Sequence, residues 1–202
     1  LQPVLVGLLM AVVLAGVAAM VVTSLRQHGR RMRLGQLASQ HGLRFSVDDP
    51  FDVPRRYADF ALVASGHSTA ASNVIFGHVE GMPVREFDFQ YEVGHGTRRL
   101  TRRYGVILLE MPSDPGSLLM WHEEDSPPVS AGQARQQFGP WIFCGPRTLV
   151  EAVAGIGQDL FAKGGCVEVR RSVMLIAVPA PIGPRQCPAQ LASIATAVRK
   201  LL

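Results

Sequence analysis

Residues 73–110 read NVIFGHVEGMPVREFDFQYEVGHGTRRLTRRYGVILLE. Three runs rich in Val, Ile, Phe and Tyr, at 73–80, 83–93 and 99–110, are separated by Glu-Gly-Met-Pro and Gly-His-Gly-Thr, sequences that reverse an extended chain. The spacing predicts a three-stranded antiparallel meander. In the second run Phe87, Phe89, Tyr91 and Val93 alternate with Glu86, Asp88, Gln90 and Glu92. A pleated strand sends alternate side chains to opposite faces, so one buried and one wet face are expected. With the loop at 94–97, Glu92 falls opposite Arg99 and Asp88 opposite Arg103, and cross-strand ion pairs account for the acidic and basic runs without a ligand.

Outward from the meander, residues 43–46 look extended, and Asp-Asp-Pro at 48–50 leads into a short helix around 54–60. On the other side, 118–122 reads as a strand and 123–132 as an acidic, proline-containing loop that divides the domain. The rest reads as a strand at 141–144, an amphipathic helix at 148–162 stopped by Gly164 and Gly165, a strand pair or one bent strand at 166–179, and a closing helix at 188–202. A meander followed by two strand-helix units defines an α+β domain over 43–202, with sub-halves 43–122 and 133–202.

Residues 1–25 hold no charged side chain, and Arg26, Arg30, Arg31 and Arg33 follow within eight positions. A helix of that length, ~37 Å at about 1.5 Å per residue, exceeds a hydrocarbon core of about 30 Å. The expectation is a transmembrane helix over 1–25 and a basic juxtamembrane helix over 26–42, with Gly42 as its C-terminal stop. A cleaved signal carries its basic residues ahead of the apolar run, which is the reverse of this order. Positive charge after the span places the N-terminus outside and the domain in the cytoplasm, on the inner membrane. These arginines account for four of the 20 basic residues, leaving sixteen against sixteen acidic ones in the remainder. The basic pI is thus a juxtamembrane property suited to anionic lipid headgroups, and it argues against nucleic acid as a partner.

Gly7, Ala11, Ala15 and Ala19 recur every four residues and form a smooth stripe along which another helix can approach closely. Between Gln2 at its outer end and Thr23 the span holds no polar residue, hence no ion path or proton relay. The histidines are scattered without H-x-x-x-H or H-E-x-x-H spacing, no G-x-S-x-G elbow exists, and Cys144, Cys166 and Cys187 form no C-x-x-C. Neither a metal, a cofactor nor a catalytic constellation is expected. Gly94-His95-Gly96-Thr97-Arg98-Arg99 offers glycines and charge to a phosphate, but it joins two strands instead of opening a helix, so a hairpin tip is the favoured reading. Trp121, His122 and Trp141 form an aromatic edge beside the acidic loop, a candidate for docking another protein, although a Trp packed in the core with solvated acids beside it is the favoured reading.

Through Asn73-Val74-Ile75-Phe76-Gly77, Gly81, Val84, the Phe87-Asp88-Phe89-Gln90-Tyr91 run and the strand at 106–110, the chain resembles a loose group of uncharacterised bacterial membrane-anchored proteins. These pair one N-terminal span with a small α+β cytoplasmic domain. The resemblance covers the span and the meander and implies an architecture only. The functional expectation is a non-enzymatic, single-span accessory subunit that stabilises a multisubunit membrane complex through other membrane subunits. Photosynthetic or respiratory assemblies are hosts by analogy. The alternative is a membrane-tethered sensor or adaptor that binds a soluble ligand or protein through the hairpin at 94–103.

Overall fold

A computed structural model describes residues 2–123, 135–154, 165–179 and 187–199. Its first element, α1, is one α-helix over Gln2–Gln40, 39 residues long. No break occurs at Arg26, so the expected span and juxtamembrane helix are a single rod. The apolar segment is long enough to cross a membrane, and none of it is buried against the rest of the chain. Thr23 turns its hydroxyl back to the Ala19 and Met20 carbonyls, which keeps the helix surface apolar to its end. Past Gln40, Gly42 takes φ +69° and Leu43 N donates to Ala38 O at 2.8 Å, a left-handed cap that releases the chain into the sheet.

Among the described residues nine strands form one antiparallel sheet: β1 (Arg44–Asp48), β2 (His67–Val79), β3 (Met82–Val93), β4 (Leu100–Glu110), β5 (Leu118–His122), β6 (Gln136–Phe138), β7 (Trp141–Cys144), β8 (Cys166–Arg170) and β9 (Val173–Pro179). Their order is β1-β2-β3-β4-β9-β8-β5-β7-β6. The expected three-stranded meander is present as β2-β3-β4, with β2 beginning at His67 instead of 73, and residues 166–179 are a pair of strands. Because β4 pairs with β9 from Gly105↔Val178 to Glu110↔Val173, the two expected sub-halves are joined into one sheet. Helices α2 (Val53–Arg56), α3 (Arg147–Ala154) and α4 (Cys187–Arg199) follow α1 among the described residues, together with 3-10 turns at Val63–Ser65 and Gly96–Arg98. The α+β class is therefore seen directly, with strand-helix units β7-α3 and β9-α4. The acidic loop from 124, the helix end beyond 154 and the last three residues lie outside the described residues.

Each sheet face carries its own core. On one, Ile75, Val84, Ile107, Val167 and Ile176 pack with Leu34 and Ala38 of α1, Val150 of α3 and Ile194 of α4. On the other, Phe87, Phe89, Val106, Leu108 and Leu175 lie under Val53, Tyr57, Phe60 and Leu62 from the segment between β1 and β2. Burial on both faces explains why β4 reads Val-Ile-Leu-Leu without alternation.

Three expectations need correction. Helix α2 ends at Arg56, short of 60, because Tyr57 leaves helical geometry and is buried, 4% exposed. The turn-forming signal before it is Asp49, whose carboxylate accepts the Phe51 and Val53 N–H groups at 2.9 and 2.6 Å. In β3 the wet face is not wholly wet and the buried face not wholly buried: Glu86 is 5% exposed, whereas Val93 is 40% exposed. The β3-β4 connection takes residues 94–99, not 94–97, and includes a 3-10 turn, Gly96–Arg98. The register accordingly slips by two, placing Thr101 opposite Glu92 and Gly105 opposite Asp88.

Candidate functional site: the junction of helix and sheet

The register slip leaves Asp88 without the expected Arg103, and α1 supplies the partner. Arg30 donates from Nη1 and Nη2 to the two Asp88 oxygens at 2.5 and 2.9 Å. Asn73 Nδ2 donates to the same carboxylate at 2.7 Å, and its Oδ1 accepts from Arg31 Nε at 3.3 Å. A bulge in β2 makes this possible. Pairing with β3 shifts between Ser72 and Ile75, and Asn73 adopts φ +53°, a conformation that asparagine tolerates better than most side chains. Bidentate arginine–carboxylate contact is strong and directional, so the helix is fixed in rotation as well as position.

Between this bridge and the strands lies a cleft of about 310 Å³, walled by Gln27 and Arg31 on α1 and by Asn73, Asp88, Gln90 and Arg103 on the sheet. Asp88 is neutralised by Arg30, so Arg31 and Arg103 give the cleft a positive character. Of the four arginines expected at lipid headgroups, Arg30 is committed to the sheet, while Arg26, Arg31 and Arg33 are exposed. Gly7, Ala11, Ala15 and Ala19 lie on the exposed part of α1.

The aromatic edge is divided by the fold. Trp121 is 3% exposed and belongs to the core beneath the 57–62 segment, so it is unavailable for docking. His122 meets Trp141 edge to face at 5.3 Å, both half-buried, and only these two approach the surface.

Two further polar clusters sit under the segment between β1 and β2. Arg85 donates to Glu110 at 2.6 Å and to the Tyr57 hydroxyl at 3.1 Å, with Arg56 3.6 Å from Glu110. Burial pushes the Tyr57 hydroxyl above its ordinary value. Glu168, 3% exposed, accepts the Ala61 N–H at 2.6 Å and Arg170 Nε at 3.2 Å, and burial raises its carboxyl above the usual range. A smaller cleft of about 160 Å³ reaches it, with Cys144 alongside. Burial raises the Cys144 thiol as well, which disfavours the thiolate a nucleophile requires. Glu168 therefore serves as a clamp on the loop at 61. Among the described residues no group of three His, Cys, Asp or Glu side chains is arranged to hold a metal.

Fold and junction together define an α+β protein in which a long apolar helix runs unbroken onto one face of a nine-stranded antiparallel sheet. No protein-family model matches the chain, and no curated protein is significantly similar to it. Among solved structures it is similar to the mycobacterial trehalose monomycolate transport factor A, TtfA, with a TM-score of 0.61 and 16% identity, over 86% of this chain and 94% of that one. At that identity the likeness is one of fold.

Proposed function

We propose that the chain is a non-catalytic, single-span accessory subunit of a bacterial membrane assembly. In this reading α1 crosses the inner membrane with its N-terminus outside, docks among neighbouring helices, and holds the sheet rigidly against the assembly from the cytoplasmic side. The carrying observation is the form of α1: an apolar segment that touches nothing in its own chain, continuous with a segment bridged to Asp88 and packed through Leu34 and Ala38. A tethered catalytic or sensing domain needs only a flexible linker, whereas a rigid rod transmits position and orientation. TtfA, which shares the fold, is a transport factor, and a transport-related membrane assembly is the host this reading takes from that likeness. Photosynthetic and respiratory hosts draw no support from the fold or from that likeness. The sensor reading retains one supporting observation, the positive cleft beside α1.

Photo-cross-linking from within the span tests the subunit reading. At 100° per residue, Leu8 falls on the small-residue face and Val13 opposite it. A photoreactive residue at position 8 is expected to capture a discrete membrane protein, and one at position 13 only lipid. Lipid adducts alone from both positions would sink the reading. Gly7→Leu, Ala11→Leu and Ala15→Leu together are expected to abolish the position-8 adduct.

A further inference from the structure

The β3-β4 hairpin carries features that neither the core nor the helix bridge explains. Its turn holds Arg98 and Arg99, with Arg102 and Arg103 just behind on β4, against a single acid, Glu92, which lies 3.4 Å from Arg99. Arg98, Arg102 and Arg103 make no ion pair among the described residues. Val93 and Leu100, cross-strand partners at its base, are 40% and 52% exposed. An apolar pair ringed by arginines is unusual on a surface facing water alone, but it matches the boundary between acyl chains and anionic headgroups.

Register places this tip in space. Arg30 lies on Asp88, while Leu43, just beyond α1, lies against Gly77, the partner of Val84. Helix and β3 therefore run in opposite directions, and the end of β3 points toward the apolar part of α1. From Asp88 to Gly94 the chain advances six residues, ~20 Å at about 3.4 Å each. From Arg30 back to Arg26, the last charge before the apolar segment, is ~6 Å at about 1.5 Å per residue. Even with helix and strand inclined to one another, the tip passes the level of Arg26 and reaches the plane where the helix becomes apolar.

We propose that the tip of the β3-β4 hairpin is a second membrane contact, seated in the headgroup layer of an anionic leaflet beside the span. The arginines meet lipid phosphates, and Val93 and Leu100 reach the top of the acyl region. Gly94 makes this tip possible: at φ +79° a Cβ would stand 2.6 Å from the Arg98 carbonyl oxygen. Contact at two points, one a span and one a hairpin, stops the sheet from rotating about the helix axis.

The proposal rests on α1 crossing a bilayer, and the test separates the two. The full chain is reconstituted into vesicles of phosphatidylcholine and phosphatidylglycerol, with dansylalanine in place of Leu14, Leu100 or Ser113. Quenching is then read with brominated acyl chains. Position 14 is expected to be quenched strongly, position 100 several-fold more than position 113, and Arg98→Glu with Arg99→Glu and Arg102→Glu to abolish the quenching at 100. Strong quenching at 14 with 100 no more quenched than 113 overturns the hairpin contact alone. Absence of quenching at 14 overturns the span and the hairpin contact with it. Quenching at 100 that survives charge reversal overturns the role of the arginines.

Discussion

Asp88 shows how one side chain decides the relation between two elements. Its carboxylate is half-buried and takes both forks of Arg30 together with the Asn73 amide. Charge-assisted bonds of this kind contribute about 1.5–3 kcal/mol, and removing one partner leaves the other charge poorly solvated. Asp88→Asn is expected to cost ~2 kcal/mol, and a double-mutant cycle with Arg30→Gln to return a coupling of about 1–3 kcal/mol, read by unfolding in detergent. Additive effects would place the helix bridge elsewhere. Glu168 makes a pH prediction. Its folded pKa is raised by burial, so the fold holds its proton more tightly than the unfolded chain. That stabilisation is full below the unfolded value, about 4.3, and is lost as pH rises through the raised folded value. Glu168→Gln imitates the protonated form, so the melting temperature of the variant minus that of the parent should increase from about pH 4 to about pH 8. A pH-independent difference would contradict the assignment.

At the scale of elements, the meander, the cap at Gly42 and the strand-helix units were legible because each rests on local periodicity or turn chemistry. What was not legible depended on partners distant in sequence. Arg30 and Asp88 are 58 positions apart, and no local pattern joins them. The start of β2 at His67 was hidden because His-Ser-Thr-Ala-Ala-Ser offers Thr69 as its one strand-forming residue and is held by pairing with the end of β3. The β3-β4 register was missed by two because glycines mark a turn without stating how many residues it takes. The contact between α1 and the sheet rests on Leu34, 2% exposed, and Leu34→Ala should cost about 2–4 kcal/mol, measured by denaturant unfolding. A change below about 0.5 kcal/mol would mean that the helix is not packed there.

For the whole molecule, pairing of β4 with β9 joins early and late parts of the chain, so the sheet is expected to unfold in one step, with no sub-half surviving alone. Expression of residues 43–122 alone should give an unfolded product, since β4 would expose the edge that β9 covers. A dispersed amide spectrum from that fragment would contradict the single-sheet account. Trp121 marks the limit of sequence reading at this scale, because an aromatic residue at a strand end looks the same whether it faces a partner or its own core. In the proposed reading, the unbroken helix, its exposed small-residue face and the sheet fixed at its base serve a part that is held by other proteins in a membrane. Extraction of native membranes in a mild detergent, followed by size separation and mass spectrometry, tests this most directly. A large complex with this chain in fixed ratio to other membrane proteins is expected; a monomer or small homodimer would contradict it.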